Sequence, residues 1–299
     1  MAASNVKAGE EMKRLFLYSF SLFVLTSCNP NLDMIGMFYG QSPRSDERFA
    51  ISMAYNDTAG YKSLSVPEDD YLVYVCTDIH VDSTANNIKK WANLMRNDPK
   101  CRVGLILGDM INAQGNFPRF MSGLAFDPAT QANDVPVFAT AGNHDIYFGQ
   151  WIDYVKYWHT SSYWFEVNTP HARDFYICLD SSDGTTGRKQ LKWLRTLLQE
   201  AATKDYRHII VFTHTHIFKR DASQGHTSNF PMEETYELTD LFSRYGVELY
   251  LSGHDHTREL NTFKGVKYVI VDTMQDHVDN PYYLIATLSD DIGLSFEAL

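Results

Sequence analysis

Five runs of apolar residues mark out the chain: Tyr71–Thr77, Val103–Leu107, Val135–Thr140, Ile209–Thr213 and Leu249–Ser252. Each is apolar nearly throughout instead of alternating, which predicts strands covered on both faces. Between them the period changes to that of a helix. Ile88, Trp91, Ala92 and Met95 follow i, i+3, i+4, i+7, with Ser83 as the N-cap. Leu191, Leu194, Leu198 and Ala201 form a second stripe, and Leu238, Leu241, Phe242 and Tyr245 a third. Val266–Asp272, Tyr282–Leu288 and Leu294–Glu297 predict strands with no helix between them. Strands alternating with amphipathic helices place the chain among α/β proteins. Residues 29–66 break the rhythm. They are rich in Asn, Asp, Ser, Pro and Gly, with mild helical character only over Asp46–Tyr55, and read as a tether and packed extension ahead of a domain spanning 67–299.

Every one of the five buried runs ends in polar residues able to bind metal. The sequences that follow them are Asp78-Ile79-His80, Gly108-Asp109-Met110-Ile111-Asn112, Gly142-Asn143-His144-Asp145, His214-Thr215-His216 and Gly253-His254-Asp255-His256. Ligands of open α/β sheets gather at the carboxyl ends of the strands, so five such clusters predict one site. Asp, Asn and His supply hard oxygen and borderline nitrogen donors, suited to Zn, Mn or Fe. If the chain after Cys76 stays extended, Asp78 and His80 point the same way and share one ion. Asp109, with two oxygens, can bridge two. Gly108, Gly142 and Gly253 let the backbone pass close beside the site.

D-x-H, G-D-x-x-N, G-N-H-D, a strand-end His and G-H-x-H, in this order over about residues 71–275, resemble the calcineurin-like metallophosphoesterase superfamily. Any one of these pieces is common by chance; all five in order, each after a buried run, are not. The resemblance implies a four-layer α/β/β/α sandwich of two mixed sheets flanked by helices. It also implies two divalent or trivalent transition-metal ions. Asp78, His80, Asp109 and His256 would hold the first, and Asp109, Asn143, His214 and His254 the second. A bridging hydroxide would attack phosphorus. His144 would be the acid for the leaving oxygen, with Asp145 orienting it.

Residues near these motifs fill out the expectation. His216 and His226 are candidates to face substrate, and Tyr147 and Phe148 are the pocket-lining members of an aromatic segment running to Phe165. The other aromatics of that segment read as core. Asn112 reads as a turn residue or a support behind the site, and Asp255 as a surface residue. His80, and Asn112 in place of an iron-binding Tyr, separate the chain from the purple acid phosphatases. They bring it nearer the branch of cyclic-nucleotide and glycerophosphodiester phosphodiesterases.

Composition narrows the partners. The chain has 299 residues, 44% hydrophobic and 21% charged, as in a globular protein, with a formal net charge of −11. That acidity disfavours duplex nucleic acid and electrostatic docking on anionic lipid. The expected partner is a small phosphoester, and the expected activity is hydrolysis of small phosphodiesters or phosphomonoesters. A nuclease of the same superfamily and a non-catalytic metal-binding scaffold stand as alternatives. Met12–Cys28 has basic Lys13 and Arg14, then an apolar Leu15–Leu25 too short to span a bilayer. Its Leu25-Thr26-Ser27-Cys28 resembles a bacterial lipobox, which implies lipidation of Cys28, a leader over 1–28 and an extracytoplasmic protein held to a membrane by lipid alone. A secretory leader cut near Ser27 and an uncleaved anchor are the other readings. Beyond Cys28 the cysteines are Cys76, Cys101 and Cys178, an odd number that gives no complete disulfide framework. Either Cys76 and Cys178 pack as small hydrophobes or they bridge.

Overall fold

The computed structural model describes residues 42–125, 134–218 and 230–299. The leader, Cys28 and His226 lie outside the described residues. One compact unit runs from Ser42 to Leu299, so the stretch ahead of residue 67 contributes helix α1 (Ser45–Ala59) and edge strand β1 (Lys62–Ser65) to it.

Two mixed sheets lie face to face. The first contains β2 (Tyr71–Cys76), β3 (Cys101–Ile106), β4 (Val137–Ala139), β11 (Tyr282–Leu288) and β12 (Ile292–Ala298), in the order β12-β11-β2-β3-β4. The second contains β1, β5 (Tyr163–Asn168), β6 (Arg173–Cys178), β7 (His208–Phe212), β8 (Leu249–Ser252), β9 (Glu259–Phe263) and β10 (Val266–Ile270), in the order β1-β5-β6-β7-β8-β10-β9. In the first sheet β2, β3 and β4 are parallel; in the second β6, β7, β8 and β10 are. Parallel neighbours put their carboxyl ends at one edge, and that edge carries the polar motifs.

The apolar strands bury both faces. Val73 and Val75 of β2 meet Tyr176, Cys178, Ile210 and Phe212 in the layer between the sheets. Tyr74 and Cys76, on the opposite pleat, meet helix α2 (Asn86–Asn97) and helix α3 (Phe117–Leu124) through Ile88, Trp91, Met95, Phe117 and Phe120. On the far side, Phe175, Ile177 and Val211 meet helix α5 (Gly187–Ala201) and helix α6 (Met232–Arg244) through Leu194, Leu198, Leu238 and Phe242. This is the α/β/β/α sandwich. Cys76, Cys101 and Cys178 are all buried free thiols, so the bridge between Cys76 and Cys178 is absent; the two side chains belong to different core layers. Ser83 does not cap α2 either. The orphan amides of Asn86 and Asn87 donate to the carboxylate of Asp276, at 2.9 and 2.7 Å, a residue far along the chain.

Helix α1 is fixed by one buried cation. Arg48 is fully buried; its guanidinium donates to both oxygens of Asp180, at 2.8 and 3.0 Å, and to Asp183 at 2.9 Å. It also faces the ring of Trp151, the first residue of helix α4 (Trp151–Trp158). Among the described residues no helix is long and apolar enough to cross a membrane.

Candidate metal centre

The chain does not stay extended after β2. Asp78 and His80 have φ of 49° and 45°, in the left-handed region, as do Asp109 at 50°, His254 at 76° and His256 at 50°. The convergence of Asp78 and His80 comes from a left-handed turn, not from the pleat that the sequence suggests. Such backbone costs about 1 kcal/mol or more per residue and persists only where surroundings hold it. Here the surroundings are visible. Thr77 Oγ1 donates to Asp78 Oδ2 at 2.7 Å, and the His254 amide donates to the same oxygen at 2.8 Å. Asp78 Oδ1 is left buried without a hydrogen-bond partner and aimed at the ring nitrogens. Asp109 is divided in the same way: Oδ1 accepts from the His144 amide at 2.8 Å, and Oδ2 faces the histidines.

Two donor sets result, and they share an atom. Asp78 Oδ1 lies 3.7 Å from His80 Nε2 and 3.2 Å from His256 Nε2, and the two imidazole nitrogens are 3.2 Å apart. His80 Nε2 is 3.6 Å from Asp109 Oδ2. That oxygen is also 3.4 Å from His214 Nε2, which is 3.0 Å from Asn143 Oδ1 and 3.2 Å from His254 Nδ1. His254 Nδ1 closes the second set at 3.1 Å from Asn143 Oδ1. Ligands about 2.1 Å from one ion stand about 3.0–3.5 Å apart in octahedral or tetrahedral geometry, so the spacing fits a metal in each set. The chemistry fits as well. Buried carboxylate and imidazole atoms that converge this closely are what a cation would satisfy. His214 Nδ1 donates to the Leu107 carbonyl at 2.8 Å, fixing the tautomer that presents Nε2.

Electrostatics record the crowding. Burial opposes charge on His214, but the carboxylates of Asp109 and Asp78 carry its pKa up to about 10. Burial and the neighbouring charge of His214 push His254 down to about 4. Asp109 is held at about 2, since the cationic neighbours outweigh its burial. His144 is lowered, mainly by burial.

His144 sits beside the centre, one ring nitrogen within 4.8 Å of donors on His80 and Asp109. Asp145 does not orient it. The Asp145 carboxylate accepts from the amides of Met110 and Gly142, both at 2.9 Å, and so ties the G-D loop to the G-N-H-D loop. Gln150 Nε2 donates to the His144 carbonyl at 2.9 Å. Nothing in the sequence singles out Gln150. His216 is buried, with Nε2 3.3 Å from Asp255 Oδ2, and Asp255, expected at the surface, is buried as well. Tyr147 and Phe148 are exposed beside His144.

The calcineurin-like phosphoesterase family model matches residues 71–258, which contain every donor above. The chain belongs to this family. The calcineurin-like phosphoesterase fold is shared with a dimetal phosphatase from Danio rerio, at a TM-score of 0.60 and 13% identity over 77% of this chain and 98% of that one. It is shared too with GAP50, described as the anchor in the inner membrane complex of Plasmodium, at a TM-score of 0.59 and 14% identity over 78% and 85% of the two chains. The serine/threonine-protein phosphatase CPPED1 of Bos taurus is 23% identical over 189 residues, 58% of this chain and 59% of the relative. The chain thus spans about three fifths of the curated relatives it matches.

Proposed function

We propose that this calcineurin-like phosphoesterase is a dinuclear metal-dependent hydrolase of small phosphodiesters or phosphomonoesters. The observation that carries the reading is Asp109 Oδ2, 3.6 Å from His80 of one donor set (Asp78, His80, His256) and 3.4 Å from His214 of the other (Asn143, His214, His254). Mn, Fe or Zn ions held there would supply a water activated for attack and would offset the charge of the phosphoryl oxygens. His144 donates a proton to the departing oxygen. Asp109 Oδ1 keeps the loop of His144 in register with the metal donors through the His144 amide. The test is elemental analysis of undialysed protein beside turnover of 4-nitrophenyl esters with added Mn, Fe or Zn. Two ions per chain and metal-dependent turnover are expected. One ion or fewer, with no gain on adding metal, would defeat the reading; metal without turnover would favour the scaffold.

Cleavage of the leader at Cys28, lipidation of that residue and an extracytoplasmic site of action belong to the same proposal, supported by the lipobox-like sequence. Cys28→Ser is expected to abolish incorporation of labelled fatty acid and to release the protein from membranes. Recovery of the wild-type protein wholly in a soluble fraction would overturn it.

A further inference from the structure

The aromatic residues after the G-N-H-D loop divide in two. Trp151 and Tyr154 are 3% and 0% exposed and stack on each other in the core. Tyr147 and Phe148, on the 3-10 turn Tyr147–Gly149 just before them, are 39% and 63% exposed. Phe148 also has φ 54° and ψ 33°, a left-handed conformation that a bulky residue rarely adopts. A phenyl ring that is left to water on strained backbone contributes nothing to the fold at that position; Gly would fit the turn better.

The turn is tied rigidly to the metal loop. The amides of Ile146 and Tyr147 donate to the carbonyl of the metal donor Asn143 at 3.3 and 3.1 Å, and Gln150 bridges back to the His144 carbonyl. The Tyr147 ring centre is 5.6 Å from that of His144 and 6.2 Å from that of Phe148. Tyr147, with Phe148 against it, therefore lies beside the residue that gives the leaving alcohol its proton.

We infer that Tyr147 and Phe148 form a stacking platform selecting phosphoesters whose leaving alcohol carries an aromatic or heteroaromatic ring. The inference rests on the hydrolase reading above. In the step it serves, the oxygen of water bonds to phosphorus and one of its protons passes to solvent. The P–O bond to the alcohol breaks with its electron pair on the alcohol oxygen, which takes the proton of His144, and solvent returns a proton to His144. The ring of that alcohol stays on the platform throughout, so stacking holds the leaving oxygen at His144.

The experiment compares 2-phenylethyl phosphate with ethyl phosphate, both leaving as primary alkoxides, using metal-loaded protein. The wild type is expected to favour the phenyl ester in kcat/KM by about tenfold. Phe148→Gly, which removes the ring and suits the left-handed turn, should bring that ratio below about twofold, and Phe148→Trp should restore it. A wild-type ratio below about twofold, or an unchanged ratio in Phe148→Gly, overturns the platform. Loss of turnover on every ester, 4-nitrophenyl phosphate included, strikes the hydrolase reading instead. In that case calorimetry decides the platform: wild-type protein should bind phenylphosphonate about tenfold more tightly than methylphosphonate, and equal affinities would overturn it.

Discussion

Asp78, Asp109 and His214 are each held by the polar atom that they turn away from the site. Gly253 shows how little slack is left. A Cβ there would lie 2.0 Å from Thr77 Oγ1 and 2.5 Å from Asp78 Oδ2, so the obstacle to a side chain is space. Gly253→Ala is expected to displace Asp78 and cost at least one ion per chain, read by elemental analysis; full metal content with wild-type turnover would contradict this. Asp109→Asn should lose both, because a neutral amide bridges two dications poorly. His144 is different, since the proposed reading gives it the leaving oxygen and not a place in either donor set. His144→Gln should keep the metals and slow turnover by about 10²–10⁴-fold for alkoxide leaving groups. The loss should be smaller for nitrophenolate, which needs less protonation; equal losses would remove the acid role. The donors themselves were legible in the sequence because each follows a run of buried strand. Their supports were not. The Leu107 carbonyl acts through backbone, which has no sequence signature, and Gln150 and Thr77 resemble any other polar loop residue. Asp145 was legible as a neighbour of His144 but misread as its partner, because adjacency in a loop says nothing of where a carboxylate turns.

Among the elements, those with a strong period were the readable ones. Strands β2, β3, β7, β8 and β11 and helices α2, α5 and α6 bury the stripes that their sequences display. Strands β1 and β9 are short edge strands, largely exposed, and carry too few apolar residues to announce themselves. Helix α1 has almost no amphipathic stripe, and it is anchored by Arg48 instead of by a hydrophobic face. That anchor reaches towards the site. Asp180 is followed by Ser181, whose hydroxyl lies 2.6 Å from Thr213 Oγ1 and accepts from the Thr215 amide at 2.8 Å, on either side of His214. Arg48→Ala leaves Asp180 buried without its cation and should cost about 3–5 kcal/mol in chemical unfolding. A loss below about 1 kcal/mol would show that α1 is dispensable. Strand β7 adds a pH dependence. His208, buried at its start, has Nδ1 3.1 Å from Glu248 and Nε2 2.7 Å from the Ser289 carbonyl. Burial alone would lower its pKa, yet these acceptors raise it. A raised native pKa gives stability that is complete below about pH 6.5 and is lost as pH climbs through the native value. The melting temperature of His208→Gln should therefore fall short of the wild type by more at pH 6 than at pH 8.5. A constant difference would exclude the linkage.

Charge acts at the scale of the whole molecule. The chain carries a formal net charge of −11, and no Lys or Arg lies within the five motifs. Lys219 and Arg220 lie outside the described residues. Arg258, just past His256, is engaged, stacked 3.6 Å from the ring centre of Tyr282 and 3.3 Å from Asp272. A monoester dianion brings one more negative charge into this field than a diester does, although salt screens the field over about 8 Å at physiological strength. Matched aryl diesters should be favoured over monoesters in kcat/KM, and the margin should narrow as salt is added. Monoesters ahead by tenfold would refute the argument. The origin of the donors has a further consequence. Asp78, His80, Asp109 and Asn143 follow strands of one sheet, while His214, His254 and His256 follow strands of the other. Ions held by both would staple the two halves of the sandwich together at one end, so folding and metal occupancy become linked equilibria. An ion at a hundred times its dissociation constant adds about 2.7 kcal/mol to the folded state. Chelation should then lower the melting temperature by about 5–10 °C. It should also quicken amide exchange at the ends of β2, β3, β7 and β8 while leaving the opposite ends of the same strands protected.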